Sequence, residues 1–159
     1  MRRAFAVIAL CALPVSIVTV GLAGTASAAT KSADSAISCS KIKANITGKT
    51  GTVSKCSDTA NTDGTGTFPV SALTEGTGKI TWGASHGTTA VTVTATSDPT
   101  GTDCAAGQDE YLVTGNTGKS TGDAKKSIAK DAAINATACV NSTTGAVTLA
   151  KGTDFTIAA

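Results

Sequence analysis

Basic side chains with a guanidinium are nearly missing from this chain, since its only arginines are Arg2 and Arg3, and histidine occurs once, as His86. Aromatic residues make up 3% of the chain, with a single tryptophan and a single tyrosine, and only three prolines are present. Each scarcity excludes something. Without arginine clusters or an excess of lysine, the chain has no electrostatic footprint for nucleic acid or an anionic lipid surface. With one histidine it cannot form a Cys/His zinc site of ordinary spacing, because the cysteines lie far apart and none belongs to a C-x-x-C pair. No metal or cofactor is expected.

The scarce arginines also locate the positive charge. They open a segment in which an apolar run from Ala4 to about Leu22 leads to Ala26-Ser27-Ala28, the pattern of a secretory signal cleaved after Ala28. The Arg2-Arg3 pair invites a twin-arginine reading, but its position at the extreme start, before a strongly apolar core, fits general secretion better. Leu10 precedes Cys11, which makes Cys11 a poor site for lipid attachment. Taking the two arginines from thirteen basic residues leaves eleven lysines against eleven acids, so the remainder is close to neutral. We therefore expect a signal peptide over 1–28, a flexible segment over 29–36, and one domain over 37–159. Beyond the signal, no stretch is apolar enough to span a bilayer, and a monomer without membrane contact is expected after cleavage.

Cys39, Cys56, Cys104 and Cys139 are an even set in an exported chain and predict two disulfides. Three pairings are open; closure of the shorter loops favours Cys39 with Cys56 and Cys104 with Cys139.

What the chain has in abundance is threonine, glycine, alanine and serine, with apolar residues in period-two runs between glycine-rich turns. "KIKANITG" reads as a strand with Ile42, Ala44 and Ile46 on one face, followed by a turn at "TGKTG" and a second strand around Val53 and Cys56. "TGKITW" alternates Ile80 and Trp82 with Lys79 and Thr81. "AVTVTAT" alternates Val91, Val93 and Ala95 with Thr92, Thr94 and Thr96. Tyr111–Thr114, Ile134–Val140, Ala146–Leu149 and Phe155–Ile157 complete about eight strands. Such a set predicts an all-β fold, an antiparallel β-sandwich or an Ig-like or barrel-like domain, with at most one short helix. A loop insertion is expected near 115–133, where "TGNTGKSTG" has loop composition and "GDAKKSIAKDAA" forms a mobile segment with Asp123 as a possible helix cap.

The one stretch that imitates a catalytic motif is "WGASHGTT", which contains G-x-S-x-G around Ser85. A nucleophile elbow requires a strand-to-helix turn and a histidine arriving from later in the chain. Here "TTAVTVTATSD" follows, a strand pattern, and His86 is both adjacent to Ser85 and without a second histidine. The stretch reads as a turn in which Gly83 and Gly87 reverse the chain, His86 is solvated, and Trp82 is a core residue whose N–H meets a backbone acceptor. The functional alternatives for these residues are a pH-sensitive contact at His86 and a sugar-stacking platform built from Trp82 and Tyr111.

Other constellations are weaker. Asp109 and Glu110 are neighbours whose side chains point to opposite faces of a strand, so they do not flank one substrate bond, and they read as a solvated strand entry. Gly115, Gly118, Lys119 and Ser120 lack the spacing of a phosphate loop. Asn45, Asn135 and Asn141 head N-x-[ST] triplets of the kind a threonine-rich chain produces by chance. The threonine row at 92, 94 and 96 reads as ordinary solvent-facing strand, since ice-binding faces require a flat repeated array and no repeat of fixed period occurs.

"SCSKI", "GTGKITW", C-x5-E-Y at Cys104–Tyr111, "ATACV" and "VTLAKGTDF", in this order, resemble a group of small exported actinobacterial proteins of undefined role. The resemblance implies a compact disulfide-bonded β fold and carries no catalytic residue; the lysine-rich segment Gly122–Ala133 departs from it. The expectation is a non-enzymatic secreted or cell-envelope protein that binds a protein or a wall glycan. The alternatives are a secreted protease inhibitor presenting a rigid loop, and a hydrolase built on Ser85, His86 and an acid such as Asp98.

Overall fold

A computed structural model describes residues 35–58, 64–83 and 85–159. The expected signal peptide, and the segment 29–36 up to residue 34, lie outside the described residues. Nine strands and two single-turn helices follow in the order β1 (Ser35–Asn45), β2 (Thr50–Asp58), β3 (Thr65–Pro69), α1 (Ala72–Glu75), β4 (Thr77–Trp82), β5 (Thr88–Ser97), β6 (Gln108–Ser120), α2 (Ala124–Ser127), β7 (Ala133–Asn141), β8 (Ala146–Leu149) and β9 (Phe155–Ala158).

Each strand from β1 to β7 pairs antiparallel with the next. Both β8 and β9 then lie between β7 and β1: Val147 faces Val140 on one side and Ala44 on the other, while Ile157 faces Ile134 and Ile37. They are two halves of one strand position interrupted at Ala150–Asp154, and they close the sheet on itself. The result is an eight-position up-and-down antiparallel barrel rather than a sandwich or Ig-like domain. Closure removes the two exposed edges that an open meander of these strands would leave. The strand pattern is common to sandwich and barrel; what selects the barrel is the pairing of the first strand with the last, which no local pattern encodes.

Two further expectations are corrected. Two short helices form instead of at most one. Most of "TGNTGKSTG" is the second half of β6, the longest strand, so the connection between β6 and β7 is confined to 121–132. Gly115 looks like loop composition but is required inside the sheet, where a Cβ would run into the carbonyl oxygen of Thr92 on β5. At the start of the described residues β1 begins at Ser35, which pairs with Ala158.

Inward positions alternate large with small. A Cβ at Gly51 would lie 2.5 Å from the Phe68 ring, and one at Gly66 would lie 2.8 Å from both Ile80 and the Trp82 indole. Glycine at these strand positions therefore makes room for the few aromatics the chain owns, filling a small barrel with few large side chains. Ile42 faces inward as expected, but Ile46 falls beyond the end of β1 and is 53% exposed.

Both disulfides have the favoured connectivity, Cys39–Cys56 and Cys104–Cys139. The first joins residues directly opposite each other on β1 and β2. The second ties the connection between β5 and β6 to the outer face of β7. Closing loops of 17 and 35 residues restricts the unfolded chain by about 3 and about 4 kcal/mol respectively.

Candidate functional site

The meander places the four connections 46–49, 70–76, 98–107 and 142–145 at one end of the barrel, here the upper end. The ends of β2 and β3 at Asp58 and Thr65, the described residues 83 and 85–87 between β4 and β5, and the connection 121–132 lie at the lower end with the paired ends of β1 and β9.

The G-x-S-x-G stretch is the lower-end turn between β4 and β5, not an elbow. Gly83 and Gly87 both have positive φ, 45° and 97°, and β5 follows directly. Gly87 is required for a second reason: its Cα packs on the backbone of Thr121 and Gly122, where a Cβ has no space. The turn and the start of α2 are thereby joined, with Ala124 N–H donating to the carbonyl of His86 over 3.0 Å. His86 is mostly covered rather than solvated, and its Nδ1 lies 3.5 Å from Asp123 Oδ2. Asp123 occupies the N-cap position of α2 but does not cap it; its carboxylate meets Lys126 at 2.9 Å and His86. The Lys126 hydrogen bond, then its charge, then His86 hold the Asp123 carboxyl below its usual range.

Trp82 is 0% exposed, as a core residue should be. Its acceptor differs from expectation: Nε1–H donates to the hydroxyl of Thr89 at 2.9 Å, and Thr89 Oγ1 shares a hydrogen bond with Ser120 Oγ at 3.1 Å. This buried chain of polar groups, with Ala124 and Ile128 of the α2 connection, closes the lower end.

Tyr111 sits at the upper end, half-buried in the inward register of β6 opposite Ser97 and Ala138. Trp82 and Tyr111 are thus at opposite ends of the barrel and share no surface. Asp98 also lies at the upper end, where it accepts from the N–H and hydroxyl of Thr100. It does not join Ser85 and His86 below. Asp109 and Glu110 do diverge, but Glu110 is buried rather than solvated: the connection 98–107 folds over it, Gly101 packs on its carboxyl, and Asp103 N–H donates to Oε2 at 3.0 Å.

The site that residue-by-residue reading missed is the barrel interior. A cavity of about 50 Å³ lies within it, and every residue lining it is apolar: Phe68, Phe155, and aliphatic side chains from the strands together with Ala72 and Leu73 of α1. No polar side chain lines this space, so nothing in it offers a catalytic group, a metal ligand or a partner for a charge. Among the described residues no cluster of His, Cys, Asp or Glu is arranged to hold a metal ion, and none of their helices is long and apolar enough to cross a membrane. The cavity could not be read from sequence because its lining is drawn from all eight strand positions, and each residue of it looks like ordinary core.

Comparison of the chain with protein-family models, with characterised proteins and with solved structures returns no match. What the molecule does must be argued from its own geometry: a closed, disulfide-bonded eight-position β-barrel with an apolar interior.

Proposed function

We propose that this protein is a non-catalytic binding module of an oxidising, extracytoplasmic setting, and that its binding element is the barrel interior. The carrying observation is the cavity lined wholly by apolar side chains. A water there would find none of the two to four polar partners it needs, so the space favours a dry, uncharged occupant. Closed up-and-down barrels of eight strands are wide enough to be filled by side chains or to hold one small ligand; here filling is incomplete. The two disulfides suit an oxidising compartment, in keeping with export by a signal at residues 1–28 and a place outside the cell or at its envelope.

A wall-glycan partner loses its main support with Trp82 buried and Tyr111 at the other end of the barrel. The absence of an elbow, and the separation of Asp98 from Ser85 and His86, remove the support for a hydrolase of that design. The test is xenon titration of the oxidised protein under pressure, followed by methyl NMR. Saturable shifts confined to methyls such as those of Val91, Val93, Val113 and Ile134 are the expected result. Shifts that do not saturate, or that spread over surface methyls such as those of Ile46 and Leu112, would overturn the reading.

A further inference from the structure

We infer that α1 is the gate of this cavity, and that the ligand it admits is the end of an unbranched aliphatic chain whose polar end stays in water. The inference rests on the binding role of the interior proposed above. Of the residues lining the cavity, all are buried except Leu73. Leu73 is thus the one lining residue that both packs on the core and reaches solvent, which makes its side chain the candidate stopper.

The attachment of α1 suits such a role. It is a single turn of four residues with no side-chain cap at Ser71. It is bounded by Val70, whose N–H donates to the Lys49 carbonyl, and by Gly76, which is left-handed at φ 79° and accepts from Val93 N–H at 2.9 Å. Between these two backbone anchors Ala72 is seated where Gly78 of β4 leaves a notch, a Cβ on Gly78 lying 2.6 Å from that of Ala72, and Leu73 packs against the core. No disulfide or ion pair among the described residues fastens the turn. The lower end is built differently, with Trp82 fully buried and its N–H held in the Thr89–Ser120 chain.

The chemistry of the ligand follows from the path. An apolar lining rejects any group that must keep its hydration, so the polar end remains outside. An entrance opened by the movement of the single Leu73 side chain would pass a linear chain more readily than a ring. The resting volume is about a third of the roughly 150 Å³ that admits benzene in a comparable apolar cavity, so a chain longer than a few carbons enters only as Leu73 swings out and yields its own volume.

Straight-chain alkanoates of four to twelve carbons, titrated into the oxidised protein with NMR line shapes giving affinity and exchange rates, test this. Wild-type affinity should rise about fourfold per methylene until the interior is full. Leu73→Ala, which removes the stopper, and Gly78→Ala, whose added methyl presses on Ala72 and displaces α1, should each raise the association rate about tenfold. Unchanged rates in Leu73→Ala, with xenon still bound inside wild type and variant, would overturn the gate and leave the interior site standing. Failure of wild type to take either xenon or alkanoate would overturn both. Gly78→Ala is read only where its β-sheet circular dichroism matches wild type; Leu73→Ala decides otherwise.

Discussion

Trp82 donates its indole N–H to the hydroxyl of Thr89 over 2.9 Å, with both residues wholly removed from solvent. The pair explains how the only tryptophan of the chain closes the lower end: a large apolar body is buried, and its one polar atom is satisfied by a residue seven positions later on the neighbouring strand. Thr89→Val keeps the shape and deletes the acceptor. It should leave Trp82 Nε1–H and Ser120 Oγ unsatisfied in a buried setting and destabilise the protein by about 1–3 kcal/mol. Urea denaturation followed by Trp82 fluorescence checks this, and a change under about 0.5 kcal/mol would show that the hydroxyl chain is dispensable.

Two glycines separate packing from backbone conformation. Gly115 lies in β6, where a Cβ would meet the Thr92 carbonyl oxygen, whereas Gly107 has φ 81° but open space around the missing Cβ. Gly107→Ala should cost about 1–2 kcal/mol, the penalty of a left-handed residue alone. Gly115→Ala should cost more, about 3 kcal/mol, because the obstacle is backbone that can move only by breaking the β5–β6 ladder. Denaturation midpoints of the two variants give the order, and equal costs would contradict the close approach at Gly115.

Individual strands were legible in the sequence wherever a period-two run ended in a turn. "TGKITW" and Ala146–Leu149 match β4 and β8 residue for residue, and Val91, Val93 and Ala95 face the interior. β3 escaped notice because its two inward residues are Gly66 and Phe68, and a glycine breaks the apolar alternation on which detection depends. The far half of β6 was hidden for the same reason by Gly115 and Gly118. Lys55, inside β2, and Asp131, in the connection before β7, are non-glycine residues with φ of 54° and 63°, left-handed positions that no turn motif announces. Closure of the barrel and the cavity inside it were not legible at all, since both depend on which distant residues share a face. In contrast, local chemistry was decisive at the G-x-S-x-G stretch, where the β-branched residues after Gly87 exclude a helix.

Asp123 gives the molecule a modest acid sensitivity at its lower end. Its carboxyl is held below the usual aspartate value of about 3.9, by Lys126 first and His86 after it. A carboxyl whose folded value is depressed contributes stability that is complete above the unfolded value and lost as pH falls through the folded one. The melting temperature of wild type should therefore exceed that of Asp123→Asn at pH 5, and the gap should close as pH falls below the ordinary aspartate value and through the depressed folded one. Because Asp123 is half-exposed, the difference should shrink in 0.5 M salt. A gap that persists unchanged at pH 2 would mean that the side chain acts through shape rather than charge.

The interior offers the most direct check on whether its void matters to the fold as well as to a ligand. Ala136 of β7 lines the cavity from the barrel wall, away from α1. Ala136→Val adds two methyl groups to a space of about 50 Å³. A void of that size corresponds to roughly 1 kcal/mol at about 24 cal/mol per Å³, so a valine that fits without displacing its neighbours should stabilise the protein by about that amount. The same variant should lose saturable xenon binding, because the occupant's volume is taken. Stabilisation accompanied by loss of xenon ties the two properties to one cavity. A destabilised variant that still binds xenon would place the occupied space somewhere other than beside Ala136.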